Sequence, residues 1–143
     1  MVEKVNGESL RTIRELTLFD MDEILPLYAA VGWTNYTDRP EMLKNALEHS
    51  LLVLGAYDGD RLAGLLRAVG DGLSIVFIQD VLIFPAYQRQ GIGTMLFGAL
   101  MERYPEVYQM ELAADDTLES AAFYQSLGFR RDRDIGCCAF MKM

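Results

Sequence analysis

Cysteine and histidine are nearly missing from this chain of 143 residues: Cys137 and Cys138 stand side by side, and His49 is the sole histidine. Adjacent cysteines match neither a metal-ligand spacing nor a disulfide framework, and they read as two small strand residues directed to opposite faces. One histidine, with no serine in a GxSxG elbow, leaves a His-based hydrolase triad unsupported. No apolar run reaches the roughly 18 residues of a membrane span. The first ten residues also lack the basic-then-apolar layout of a signal peptide. A cytoplasmic protein with no membrane partner and no metal is therefore expected. Positive charge is scarce as well: 13 Lys and Arg against 21 Asp and Glu give a net charge of −8. That balance argues against a nucleic-acid partner, which needs clustered cations, and suits a cationic ligand as well as plain solubility.

What is present is an ordinary globular composition, 51% apolar and 24% charged, long enough for one domain with its own core. The pattern predicts a single domain over 1–143, with residues 1–8 a flexible polar lead-in. A strand follows over 10–18. Asp20 and Glu23 then form a capping-box signal for a helix carrying Ile24, Leu25, Tyr28 and Val31, in which Pro26 is acceptable only near the first turn. Residues 32–38 read as a loop with Trp33 and Tyr36, either a substrate wall or a cover for the core. A second helix opens near Pro40 and ends near His49, where the imidazole suits the C-terminal dipole. Three strands follow over 51–57, 62–69 and 73–84, joined at Asp58-Gly59-Asp60 and Gly70-Asp71-Gly72. After a helix over 91–103 the pattern predicts a strand over 107–113, a helix over 118–127 and a last strand over 135–143.

The stretch QDVLIFPAYQRQGIGTMLFGALMER at 79–103 is the most informative. Val81, Leu82, Ile83 and Phe84 form an apolar strand bounded by Pro85, and Ile92, Met95, Leu96, Ala99 and Leu100 fall on one helical stripe. Between them lies a QxxGxG turn. The first turn of a helix leaves backbone N–H groups unpaired at the positive end of the macrodipole, and Gly91 and Gly93 let an anion approach them. Arg89 adds charge and Thr94 a hydroxyl. No lysine follows, which excludes a P-loop, and Leu96 stands where a dinucleotide fold needs its third glycine.

This run resembles motif A of the GNAT superfamily of acetyl-CoA-dependent N-acetyltransferases, whose pattern is [QR]xxGx[GA]. The AFYQSLGF segment at 122–129 resembles a second family element. The resemblance covers about 130 residues and implies the α/β (α+β) GNAT fold: a central mixed, mostly antiparallel sheet of six to seven strands, flanked by about four helices, in the order βααβββαβαβ. The runs VGDGLSIVFIQDVLIFPAYQRQGIG and ALEHSLLVLGAYDGD also resemble the plastid and cyanobacterial GNATs associated with serotonin-type amines.

The resemblance implies direct transfer of acetyl from acetyl-CoA to an amine, with a tetrahedral oxyanion and a departing thiolate. It implies that Val81, Leu82 and Ile83 pair their backbone with the pantetheine arm and that Gln88, Arg89, Gln90, Gly91, Ile92, Gly93 and Thr94 hold the pyrophosphate. Tyr124 matches the tyrosine assigned to protonate the thiolate; a core aromatic is the alternative. Many relatives carry an asparagine seven residues before it, where Thr117 stands here and implies a weaker hydrogen bond to the cofactor. Asp80 interrupts the apolar strand and is the leading base or substrate anchor, with structural pairing to Arg67 as the alternative. Glu111 is the runner-up, and a water relay needs no single base. Trp33 and Tyr36 are candidates for the acceptor wall. The expected acceptor is a small-molecule amine. A non-catalytic acyl-CoA-binding module and a peptide or protein acetyltransferase are the alternatives, and the edge of the last strand offers a homodimer contact.

Overall fold

The computed structural model describes the backbone of residues 2–5 and 9–143, and side chains from Leu10 onward. Two compact units emerge, Met1–Leu112 and Ala113–Met143.

The first unit is built on a six-stranded sheet in the order β1-β2-β3-β4-β5-β6, formed by Val2–Val5, Ser9–Glu15, Leu52–Asp58, Arg61–Gly70, Ile75–Ile83 and Gln109–Leu112. Neighbours are antiparallel except β5 and β6, which run parallel. Val2–Val5 pairs with β2 as a strand, within the stretch read from sequence as a lead-in; residues 6–8 of that stretch lie outside the described residues.

Between β2 and β3 come α1 (Met21–Ala30), α2 (Thr34–Thr37) and α3 (Pro40–Glu48). Asp20 caps α1 by accepting the Asp22 N–H at 3.1 Å, as the capping signal predicts. Pro26 sits deeper than its sequence position suggested. The helix nevertheless continues through it to Ala30. The short α2 occupies the loop expected around Trp33 and Tyr36. Pro40 starts α3 as predicted, its fixed φ suiting a position where no N–H is needed.

β4 is buried from Leu62 to Ala68, as a strand covered on both faces must be. On one face Ile24, Leu27 and Tyr28 of α1 and Leu43 and Leu47 of α3 pack with Val53, Tyr57, Leu62, Leu65 and Leu82. The other face is covered by α4 (Ile92–Arg103), whose Ile92, Met95, Leu96, Phe97 and Leu100 are buried. Gly64 permits the close approach of the neighbouring β5 backbone. A Cβ there would lie 2.8 Å from the Leu82 carbonyl oxygen and 3.5 Å from Ile92 Cγ2.

The second unit holds α5 (Leu118–Ser126) and a 3-10 turn, Asp132–Ile135. The strand expected over 135–143 is not formed, and with it goes the dimer edge inferred from it. Asp132 takes the amides that a ladder would need: its Oδ1 accepts Arg133 N–H, its Oδ2 accepts Ala139 N–H, and its carbonyl accepts Cys137 N–H. Local side-chain bonds of this kind compete with strand formation. Cys137 and Cys138 are consequently exposed free thiols in irregular chain, not strand residues. Among the described residues no helix is long and apolar enough to cross a membrane.

Candidate active site

β5 is hydrogen-bonded along both edges for only part of its length. With β4 it pairs from Val76 to Ile83; with β6 it pairs only from Ile75 to Ile78, where Leu112 ends the parallel ladder. Beyond Ile78 the β6-side edge of β5 has no strand partner among the described residues, and the residues concerned include Val81, Leu82 and Ile83. A bulge marks the point of divergence. Arg67 faces Asp80 and Ala68 faces Ile78, so Gln79 is the extra residue, and bulges bend and twist the strand that carries them. An extended ligand with alternating donors and acceptors could lie along this edge as an added strand.

The strand runs into the turn singled out by the QxxGxG pattern. A short 3-10 segment, Pro85–Tyr87, leads to Gly91, the N-cap of α4, at φ +82°. Arg89, at φ +62°, is the one non-glycine residue with positive φ among the described residues, a strained conformation that concentrates at functional sites. Gln88 and Gln90 brace the turn internally, Gln88 Nε2 donating to the Ile83 carbonyl at 3.2 Å and Gln90 Nε2 to the Ala86 carbonyl at 3.0 Å. Arg89 and Thr94 are exposed, whereas Ile92 and Gly93 are buried against the sheet. The N–H groups of the first turn of α4 have no carbonyl one turn earlier to bond, so the helix start offers donors and positive potential to an anion.

A buried polar network lies beside the bulge, on the sheet face covered by α1 and α3. Asp80 is 1% exposed. Arg67 Nε donates to its Oδ2 at 2.7 Å, Tyr28 OH to the same oxygen at 2.8 Å, and Tyr36 OH to Oδ1 at 3.1 Å. Arg67 Nη2 also donates to Tyr36 Oη at 3.2 Å. Of the roles the sequence left open for Asp80, the one seen directly is the pair with Arg67. Burial works against the guanidinium's charge, but Asp80 and Tyr36 together outweigh it and hold the Arg67 pKa above its ordinary value. Burial also raises the Tyr28 phenol well above the usual tyrosine range, reinforced by Asp80, so that it stays protonated.

Trp33 and Tyr36 pack on Tyr28, with ring centroids 6.0 and 5.1 Å away. The two residues read from sequence as either an acceptor wall or a cover for the core thus pack against the core cluster, with Tyr36 also joined to the Asp80 network. Glu111 lies elsewhere, exposed on β6 opposite Phe77. Sequence reasoning missed Tyr28, whose phenol was hidden in an apolar stripe. It also missed Arg11 in β2, which the partial alternation of that strand gave no reason to single out.

In the second unit, Tyr124 is half-buried on α5 and flanked edge-on by Phe123 and Phe129 at 5.0 and 6.2 Å. Burial, then the nearby Asp115 charge, raises its pKa above the usual tyrosine value. Thr117 caps the same helix, its Oγ1 accepting Ser120 N–H at 3.1 Å.

A cavity of about 520 Å³ opens at the far end of the β3–β4 hairpin, lined by Asp22, Glu23, Pro26, Asp58, Asp60, Arg61, Leu62 and Phe84. It includes neither the Asp80 network nor residues 88–94. No group of three or more His, Cys, Asp or Glu side chains is placed to hold a metal ion among the described residues.

Comparison with known proteins bears on the strand, turn and helix together. An N-acetyltransferase described as ycf52-like from Prochlorococcus marinus is 33% identical over 134 residues, covering 90% of this chain and 71% of that protein. Serotonin N-acetyltransferase 2, chloroplastic, of Oryza sativa subsp. japonica is 30% identical over 127 residues, covering 85% and 62%. Among solved structures, a GNAT family acetyltransferase from Streptococcus pneumoniae superposes with a TM-score of 0.85 at 42% identity, covering 93% of this chain and 97% of that one. The model of the acetyltransferase (GNAT) family matches residues 13–129, a span that contains the open edge of β5, the glycine turn and Tyr124. Edge, turn and helix start occur here in a chain that belongs to the GNAT family of N-acetyltransferases, enzymes that use acetyl-CoA.

Proposed function

We propose that this chain moves the acetyl group of acetyl-CoA to a primary amine on a small molecule, by direct attack within a ternary complex. The observation that carries the reading is continuity. The β5 edge left unpaired beyond Ile78 runs straight into the glycine turn and the N-terminus of α4. One ligand with an amide-bearing arm and a diphosphate matches both halves at once. When bound, that ligand supplies the activated thioester.

The chain's residues then divide the work. The backbone of Val81, Leu82 and Ile83 orients the arm, and the N–H groups at 91–94, with Arg89, neutralise the phosphates. The Gln88 and Gln90 side chains keep the turn in shape. Tyr124, protonated at neutral pH, donates a proton to the leaving sulfur. Asp80 has both oxygens engaged by donors, so we assign it the fixing of Tyr36 and Arg67 at the acceptor side. The amine's proton leaves through water. Trp33 and Tyr36 supply an aromatic surface for the acceptor, and Thr117 a weak polar contact to the donor. The name of the rice relative makes an arylalkylamine the first acceptor to try.

Free-thiol release from acetyl-CoA, followed with arylalkylamines, polyamines, amino acids and short peptides, tests this reading. Release that depends on a small amine supports it. Calorimetric binding of acetyl-CoA with release from none of these acceptors would replace it with a binding module, and release with peptides alone would replace the acceptor class.

A further inference from the structure

Arg11 belongs to none of the elements that the family motif contains, yet it is tied to the turn. It is 7% exposed in β2. Nη2 donates to Gln90 Oε1 at 2.8 Å, across 79 residues of sequence. Nε lies 3.6 Å from Asp58 Oδ1, and the guanidinium sits 5.2 Å from the centre of the Tyr87 ring. Tyr87 in turn donates its hydroxyl to Asp58 Oδ2 at 2.9 Å. Nε and Nη1 are buried and make no hydrogen bond among the described residues. A buried guanidinium with unused donors is costly. What it does achieve is to pin Gln90 between two anchors, Arg11 on one side and the Ala86 carbonyl on the other. Gln90 stands between Arg89 and Gly91, the two left-handed residues of the turn.

We propose that Arg11 is a positioning residue: acting through Gln90, it holds the turn in the conformation that presents the α4 N–H groups to a diphosphate, and so sets the preference for a donor that carries phosphates over one that does not. The inference rests on the donor reading given above. Its chemistry is hydrogen-bond geometry, since Arg11 is too buried to meet the ligand itself.

The test compares acetyl-CoA with S-acetylpantetheine, which keeps the thioester and arm but lacks the diphosphate. Arg11→Met lowers the ratio of kcat/KM for the two donors about tenfold, the scale of one charge-assisted hydrogen bond, and does so through the KM for acetyl-CoA. Gln90→Leu, at an exposed position that does not threaten folding, lowers the ratio by a similar factor, and the double variant loses no more than either single one. Arg11→Lys, which keeps the charge but not the planar fork, recovers less than half of the loss. An unchanged ratio, equal losses with both donors, or single losses that add in the double variant would each overturn the proposal. Should Arg11→Met fail to fold, Arg11→Lys and Gln90→Leu decide it alone. Failure of the unaltered protein to use or bind acetyl-CoA would overturn the functional reading instead.

Discussion

Arg67 and Asp80 face each other across β4 and β5 at 2.7 Å, both almost wholly buried and immediately beside the bulge at Gln79. Pairing in that setting makes each charge depend on the other. Removal of one partner leaves the second stranded, which typically costs about 3–5 kcal/mol. Arg67→Met is therefore expected to lower the stability read from urea unfolding by that order. Arg67→Met combined with Asp80→Leu should recover most of it. A single-variant loss below about 1 kcal/mol would show that water reaches the carboxylate and that the pair is weaker than its burial implies.

Tyr124→Phe keeps the ring contacts with Phe123 and Phe129 and removes the hydroxyl. Loss of a general acid commonly costs about 10²-fold or more in rate, so kcat at neutral pH should fall by at least that factor while thermal stability stays nearly constant. Because burial raises the phenol's pKa, its proton is retained throughout the neutral and mildly basic range. The wild-type kcat should show no decline from loss of this proton until beyond about pH 10. A Tyr124→Phe enzyme with unchanged kcat across that range would remove Tyr124 from the chemistry.

Gly91→Ala isolates backbone conformation from crowding. Nothing lies within 4 Å of the added Cβ, yet φ is +82°. The expected penalty is about 1 kcal/mol in stability, read as a lower Tm. Calorimetry should also show weaker binding of acetyl-CoA, because relaxation of φ re-aims the helix N-terminus. Full retention of affinity would mean that the N–H groups of this turn do not contact the donor.

Asp71 organises the β4–β5 turn, its carboxylate accepting N–H bonds from Leu73, Ser74 and Ile75 and the Ser74 hydroxyl. The Ser74 bond first, then the backbone bonds, hold its pKa well below the usual aspartate value. A depressed carboxylate stabilises the fold above its unfolded pKa, near 4, and that contribution is lost as pH falls through the folded value. The Tm difference between wild type and Asp71→Asn should be constant from neutral pH down to about 5, then shrink steadily below about 4. A difference that widens with acid would contradict the hydrogen-bond pattern.

Where local chemistry decides conformation, sequence reading reached the structure. The Asp58–Arg61 hairpin, the entry of α1 at Asp20, and the passage from Ile83 through Gly91 into α4 each follow from residues close together in the chain. Other features depend on register or on competition. The pair of Arg67 with Asp80 was one of the roles that sequence reading left open, and the register across the β4–β5 hairpin, bulge included, is what brings the two together. Tyr28 counted as apolar by periodicity, although its hydroxyl is the part that matters to Asp80. Residues 137–143 carry apolar side chains suited to a strand, but Asp132 accepts backbone amides from Arg133 and Ala139, a side-chain preference that a hydropathy pattern does not register.

The short ladder between β5 and β6 has a consequence for how the protein behaves at high concentration. A strand edge without a strand partner that would take a ligand's amide arm would take another extended chain as well, and unprotected edges are templates for self-association. On the proposed reading, ligand bound along residues 79–83 would compete with that pairing and stabilise the native state by mass action. That reading links supply of donor to resistance to aggregation: protein prepared without it should precipitate sooner on warming than protein held in its excess.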